Sequence, residues 1–277
     1  MLSIRILYTI LLLLALVPRS SAQESSGNRV SVPFSNPTRP RLVKVSVING
    51  GIQVKGYSGN EVVVEGRSED DASSSEPPSK KAAGMKRLGN SAPKFTVEEA
   101  ENVVTVSVRP SDRTVNLFLQ VPTTTSLKLH SVDGEVKVEQ VTGELEINCV
   151  DGNVNLANVA GTVVAHSVDG DITANLLGVA LDKPMSFSSV DGDLDVTFPS
   201  DLKANVRIKS DDGEVYTDFE IQLKPEAGKP QVEDSRPQGG SYRIQVDKEI
   251  HGAINGGGSQ IQFTSVDGNI YIRKAGK

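Results

Sequence analysis

Apolar and polar positions between Val132 and Leu177 recur every nine residues. Val132, Val141, Val150, Val159, Val168 and Leu177 share one repeat position, and Gly134, Gly143, Gly152, Gly161 and Gly170 stand two places after the first five. Apolar residues follow at four places (Val136, Leu145, Val154, Val163, Ile172) and at six (Val138, Ile147, Leu156, Ala165, Ala174). Alternation at those two positions is strand periodicity, with one side chain inward and the next outward. Each glycine marks a corner, where the backbone needs positive φ or close approach to a neighbour. The valine before it breaks the alternation and is expected inside the corner. Nine residues cannot bury their own face, so the pattern predicts rungs that pair with rungs above and below at roughly 4.8 Å.

A longer period lies over the first. The residue after the valine runs Asp133, Thr142, Asp151, Ala160, Asp169, and the residue before it runs Ser131, Gln140, Cys149, Asn158, Ser167. One coil is therefore about 18 residues, with an S/C-V-D-G corner and a V-T-G or V-A-G corner. The first signature returns at Ser189–Gly192, Ser210–Gly213 and Ser265–Gly268. The predicted fold class is all-β: a right-handed parallel β-helix or β-solenoid with short coils, preceded by N-terminal strands and carrying two inserted flexible loops. Strands are expected at 42–47, 52–54, 62–64, 95–97, 103–108 and 115–121, then through the repeats, and finally at 242–246, 260–263 and 270–272. Residues 69–93 and 224–241 are rich in Ser, Pro, Lys, Gly and acids and are expected to be the loops.

The first residues change the picture of where the chain goes. Arg5, the apolar run Ile6–Val17 and Ser20-Ser21-Ala22 have the form of a secretory signal cleaved after Ala22. The run is too short for a membrane span, which needs roughly 20 residues. The expected organisation is signal peptide 1–22, a loose segment 23–40 and a single β-domain 41–274. The expected product is exported, periplasmic or at the cell surface, with no integral membrane segment after cleavage. Of 29 basic residues, loss of Arg5 and Arg19 leaves 27 against 35 acidic ones, a net charge of −8. That argues against nucleic acid as a partner. The single cysteine, Cys149, rules out an intramolecular disulfide. It fills the slot of Ser131 and Ser167 and is read as a small inward residue.

The segments V-I-N-G-G-I-Q-V-K-G at 47–56, V-N-L-F-L-Q-V-P at 115–122 and T-S-V-D-G-N-I-Y-I at 264–272 resemble the bacterial DUF4097 family, whose members are called putative adhesins. The resemblance covers about residues 40–274. It implies a right-handed β-solenoid in exported or membrane-attached proteins, and it supplies no catalytic residues.

The candidate chemistry lies on the repeat. Asp133, Asp151, Asp169, Asp191, Asp212 and Asp267 line one edge, and Glu135, Asn153, Asp171, Asp193, Glu214 and Asn269 stand two places after them. Such an oxygen-rich stripe suits a hard cation such as calcium. Carboxylates about 5 Å apart repel by roughly 1 kcal/mol in water, which a cation relieves. The favoured reading is that each aspartate hydrogen-bonds its own turn ahead of the glycine. The nine-residue calcium-binding β-roll repeat has more glycines and a differently placed aspartate. A carbohydrate-active enzyme is a third reading, because acid pairs can act as acid and base. It lacks support from aromatics: there is no Trp, and of five Tyr one lies in the signal. His130 and His166 are two coils apart and outward, too far apart to share a zinc, and His251 stands alone. Asn255-Gly256-Gly257-Gly258 is a turn, since no helix follows to make it a phosphate loop. The expected function is an exported, non-enzymatic binding or structural module, with no catalytic residue and no resident cofactor. Its partner would be an envelope polymer or a protein.

Overall fold

The computed structural model describes residues 28–36, 38–68, 94–108, 114–180, 183–224, 231–234, 242–245 and 249–276. The expected signal segment and the 69–93 loop lie outside them. The described residues form strands and turns only. Eight two-strand rungs stack on one another. In spatial order they begin with β6 (Val103–Val108) and β7 (Val115–Pro122), then β2 (Leu42–Asn49) and β3 (Ile52–Tyr57), then β8 (Ser126–Asp133) and β9 (Val136–Glu139). Next come β10 (Thr142–Asp151) with the first half of β11 (Val154–Asp169), and the second half of β11 with β12 (Ile172–Val179). The stack finishes with β13 (Met185–Asp191) and β14 (Leu194–Phe198), then β21 (Ser259–Asp267) and β22 (Ile270–Lys274), then β15 (Ala204–Asp212) and β16 (Val215–Thr217).

All pairings between rungs are parallel, and the 18-residue coil is visible where Leu127 pairs with Leu145 and Leu145 with Val163. The step widens to 22 where Val164 meets Ser186. The rung order departs from chain order at both ends. The rung 42–57 slots between 103–122 and 126–139, and the rung 259–274 slots between 185–198 and 204–217. Each insertion places a strand of matching pattern on an open edge, which a repeat allows because every rung presents the same backbone ladder. Antiparallel strands then close the stack. At one end β4 (Glu61–Ser68) lies on β7, β1 (Arg29–Pro33) on β4, and β5 (Phe95–Ala100) on β6. At the other, β20 (Glu249–Ile254) lies on β15 and β17 (Ile221–Leu223) on β20. Such caps cover sheet edges that would otherwise template aggregation.

Two expectations need correction here. Part of the segment read as loose, 23–40, is strand β1, and Phe34 beside it is buried in the core. The loop expected over 224–241 contains β18 (Gln231–Asp234), which pairs with β19 (Tyr242–Gln245). Neither was visible in the hydrophobic pattern, because β1 is short and half exposed.

The interior is a continuous apolar column. Val45, Leu129, Ile147, Ala165, Phe187, Phe263 and Ile208 follow one another across the rungs. Val54, Val138, Leu156, Ala174, Val196 and Ile272 form a second buried column on the other strand of each rung. Phe187 stacks on Phe263 at 5.6 Å, and Phe198 meets both edge-on at 6.3 and 6.2 Å.

Candidate functional site

The S/C-V-D-G corner repeats in register along one edge of the stack. Its glycines are held by their neighbours. Gly152 has φ of +143°, and a Cβ placed there would lie 2.7 Å from the carbonyl oxygen of Gly134 on the next rung. Corner N–H groups donate to the aspartate carbonyl of the adjacent rung, as from Gly152 to Asp169 at 2.9 Å and from Gly192 to Asp267 at 2.9 Å. The serines in front of the valines point inward. Ser131, Ser189 and Ser210 donate to glycine carbonyls at 3.1 Å. Cys149 takes the same slot, as read from the sequence, and is 1% exposed. Burial pushes its thiol above the usual cysteine value.

The corner valines differ from expectation. Val150, Val168, Val190 and Val266 are 38–43% exposed. Regular alternation after an inward Ser or Cys leaves the next residue outward, and the reversal falls at the glycine instead. At the other corner the expectation holds for Val141 and Val159 but not for Leu177, which is 63% exposed. There Gln140 and Asn158 adopt positive φ (58° and 54°), which turns Val141 and Val159 fully inward.

The structure brings all six edge aspartates into one column, in the order Asp133, Asp151, Asp169, Asp191, Asp267, Asp212. Their side chains are exposed. They make no hydrogen bond to their own turns, so the favoured turn-bonding reading is corrected. It is the aspartate carbonyl that serves the corner. The second row carries the side-chain bonding. Asn153 Oδ1 accepts from Asp171 N at 2.8 Å, Asp171 Oδ1 from Asp193 N at 2.8 Å, Asp193 Oδ1 from Asn269 N at 2.6 Å and Asn269 Oδ1 from Glu214 N at 3.0 Å. This row is an acceptor ladder that ties rung to rung, which explains its preference for the short Asn and Asp. Among the described residues no group of three or more His, Cys, Asp or Glu side chains is arranged to hold a metal ion.

The histidines stay apart. His130 and His166 flank Asn148 on successive rungs, and His166 Nδ1 lies 2.9 Å from Ser188 Oγ. His251 pairs with Glu249 at 2.9 Å on the capping strand. The turn at Asn255 carries positive φ at Asn255, Gly256 and Gly257 and joins β20 to β21 with no helix after it.

A family model matches residues 21–273. The chain belongs to the Toastrack DUF4097 family. Two solved structures are similar to this Toastrack chain. One is a putative cell adhesion protein from Clostridium sporogenes, 11% identical, with a TM-score of 0.48, covering 89% of this chain and 99% of that one. The other is a putative adhesin from Bacteroides fragilis, 13% identical, with a TM-score of 0.37, covering 90% and 98%. No curated protein matches the Toastrack chain in sequence. No helix among its described residues is long and apolar enough to cross a membrane.

The sequence reading missed one arrangement in this Toastrack chain. Tyr216 and Tyr271 pair in register, with ring centres 5.3 Å apart and planes within 8°. Arg273 lies over Tyr271 at 5.2 Å and forks onto Asp195 at 2.6 and 2.8 Å. Both tyrosines stand three places after a corner glycine, Gly213 and Gly268, so the repeat held the signal. Their 55-residue separation hid it, because only the insertion of 259–274 beside the last rung makes them neighbours. A second feature, a groove of about 380 Å³, runs past Arg29, Lys55, Arg67, Phe118 and Lys137 at the other end. Its cations are largely matched by acids: Arg67 by Glu65 at 2.8 Å, Lys137 by Glu135 at 2.7 Å and Lys55 by Glu139 at 3.9 Å.

Proposed function

We propose that this Toastrack chain is an exported, non-enzymatic binding or structural module that displays its repetitive outer surface at the periplasm or cell surface. The observation that carries this reading is the register of the polar residues. The acidic residues of the corner stand in columns set by the coil, and the second row is committed to holding rungs together. A catalytic site needs groups converging on one reacting atom, whereas these columns run along an edge. A right-handed winding, the hand expected of parallel crossovers, belongs to the same reading, as does an envelope polymer or protein as partner. The test is to incubate the whole chain with isolated cell envelopes and with protoplasm from the same cells, and to fractionate expressing cells. Selective retention on envelopes and export of the chain are expected. Equal retention on both fractions, or a chain that stays in the cytoplasm, would overturn it.

The calcium-stabilised edge is the second reading, and the in-register column of exposed aspartates favours it. Against it stands the acceptor ladder, which already uses oxygens of the neighbouring row. The melting temperature is expected to be the same in calcium and in excess chelator. A rise of many degrees with calcium would reverse the order of the two readings.

A further inference from the structure

The tyrosine column ends in an open ring. Tyr216 sits on β16, which pairs with β22 alone among the described strands, so no further rung covers it. One face of its ring rests on Tyr271. The residue is 48% exposed, and no described strand lies on the side away from Tyr271. A tyrosine ring held in place beneath and exposed above offers a flat apolar surface with a polar tip, the form that suits an interface. The surroundings are polar and fixed. The Tyr216 hydroxyl donates to the Glu214 carboxylate, and this bond together with the nearby charge holds the phenol above its ordinary pKa, so it stays protonated. Asp195 and Arg273 lock the ring beneath through their fork and the contact on Tyr271.

We propose that the open face of Tyr216 is a stacking platform for a sugar ring of a neutral glycan, with Glu214 accepting hydrogen bonds from the sugar hydroxyls at its rim. A pyranose offers a flat patch of C–H groups for the ring and hydroxyl donors for the carboxylate. A nucleobase would also stack, but it arrives on phosphates that the net negative chain and Glu214 repel. The platform rests on the binding-module reading and names a ligand class for it.

The experiment is isothermal titration of the whole chain with short soluble oligomers of glucose, of mannose and of N-acetylglucosamine, on wild type and variants. At least one oligomer is expected to bind. Tyr216→Ala should weaken that binding tenfold or more, while Tyr216→Phe, which keeps the flat face, should stay within about threefold of wild type. Should the alanine variant misfold by circular dichroism, Tyr216→Leu keeps an apolar contact on Tyr271, removes the flat face, and must lose binding equally. A wild-type chain that binds none of the three, or a folded Ala or Leu variant that binds as wild type does, overturns the platform. Retention on cell envelopes that is unchanged in Tyr216→Ala also overturns it and leaves the binding-module reading standing. Loss of envelope retention in the wild type overturns that reading instead.

Discussion

At the residue scale the glycine corner is the least replaceable feature. Gly152 combines a φ of +143° with a backbone oxygen 2.7 Å from any added Cβ, and that oxygen cannot swing away. Gly152→Ala is expected to cost about 2–3 kcal/mol, read as a lower denaturation midpoint. The two corner valines separate in the same assay. Val159 is fully buried, so Val159→Asp puts an unpaired charge in an apolar stack and should abolish the native fold. Val150 is 38% exposed, and Val150→Asp should cost only about 1 kcal/mol, mostly from the neighbouring acids. Equal losses in the two variants would contradict the assigned facing of both corners. This distinction lay beyond the sequence pattern. Val150 and Val159 occupy one nine-residue position, and what separates them is the positive φ of Asn158, a backbone choice that leaves no hydrophobic trace.

At the scale of elements, a capping strand makes one charge-dependent contribution to the stability. On β20, Glu249 accepts from Arg207 of β15, and that guanidinium holds the carboxyl below its usual value, against an opposing effect of partial burial. A depressed carboxyl stabilises the fold above its unfolded pKa of about 4.3, and that contribution is lost as pH falls through the lower folded value. Acid titration of the unfolding free energy should show this loss, at most about 1 kcal/mol because Arg207 is half exposed. Glu249→Gln should remove it, and an unchanged acid slope in that variant would show that the pair is not the source. Coil length, inward Ser and Cys, and the strands of the central rungs were legible in the sequence because each repeats the same physical demand. The antiparallel caps were less legible. A cap is used once at each end and has no second copy against which to be recognised.

At the scale of the whole molecule, chain order and spatial order disagree. The repeat period foretold identical rungs, and identity is what made their sequence of stacking unreadable: any rung can follow any other. The inserted rung 259–274 is the sole parallel partner of β15 and also the outer partner of β13. Removing residues 259–277 should therefore cost far more than trimming an end coil, whose loss would spare the others. Strand content by circular dichroism and resistance to protease are expected to collapse over 204–224, which loses its parallel partner, while the same cut in an end-to-end solenoid would leave the preceding coils protected. Protection of 204–224 in the shortened chain would contradict the interleaved order.

That interleaving also settles where such a molecule can change its size. Both extremities are locked by segments that come back from elsewhere in the chain, so adding a coil at either terminus would strand it outside the closed stack. The stretch from Ser126 to Val179 is different, since there each rung follows its predecessor directly in the chain. Duplication of one 18-residue unit in that stretch would lengthen the protein by roughly one strand spacing, about 4.8 Å, with both closures intact. The central stretch is thus the adjustable span of a molecule whose ends are built by returning segments, the place where reach can be tuned without redesigning those ends.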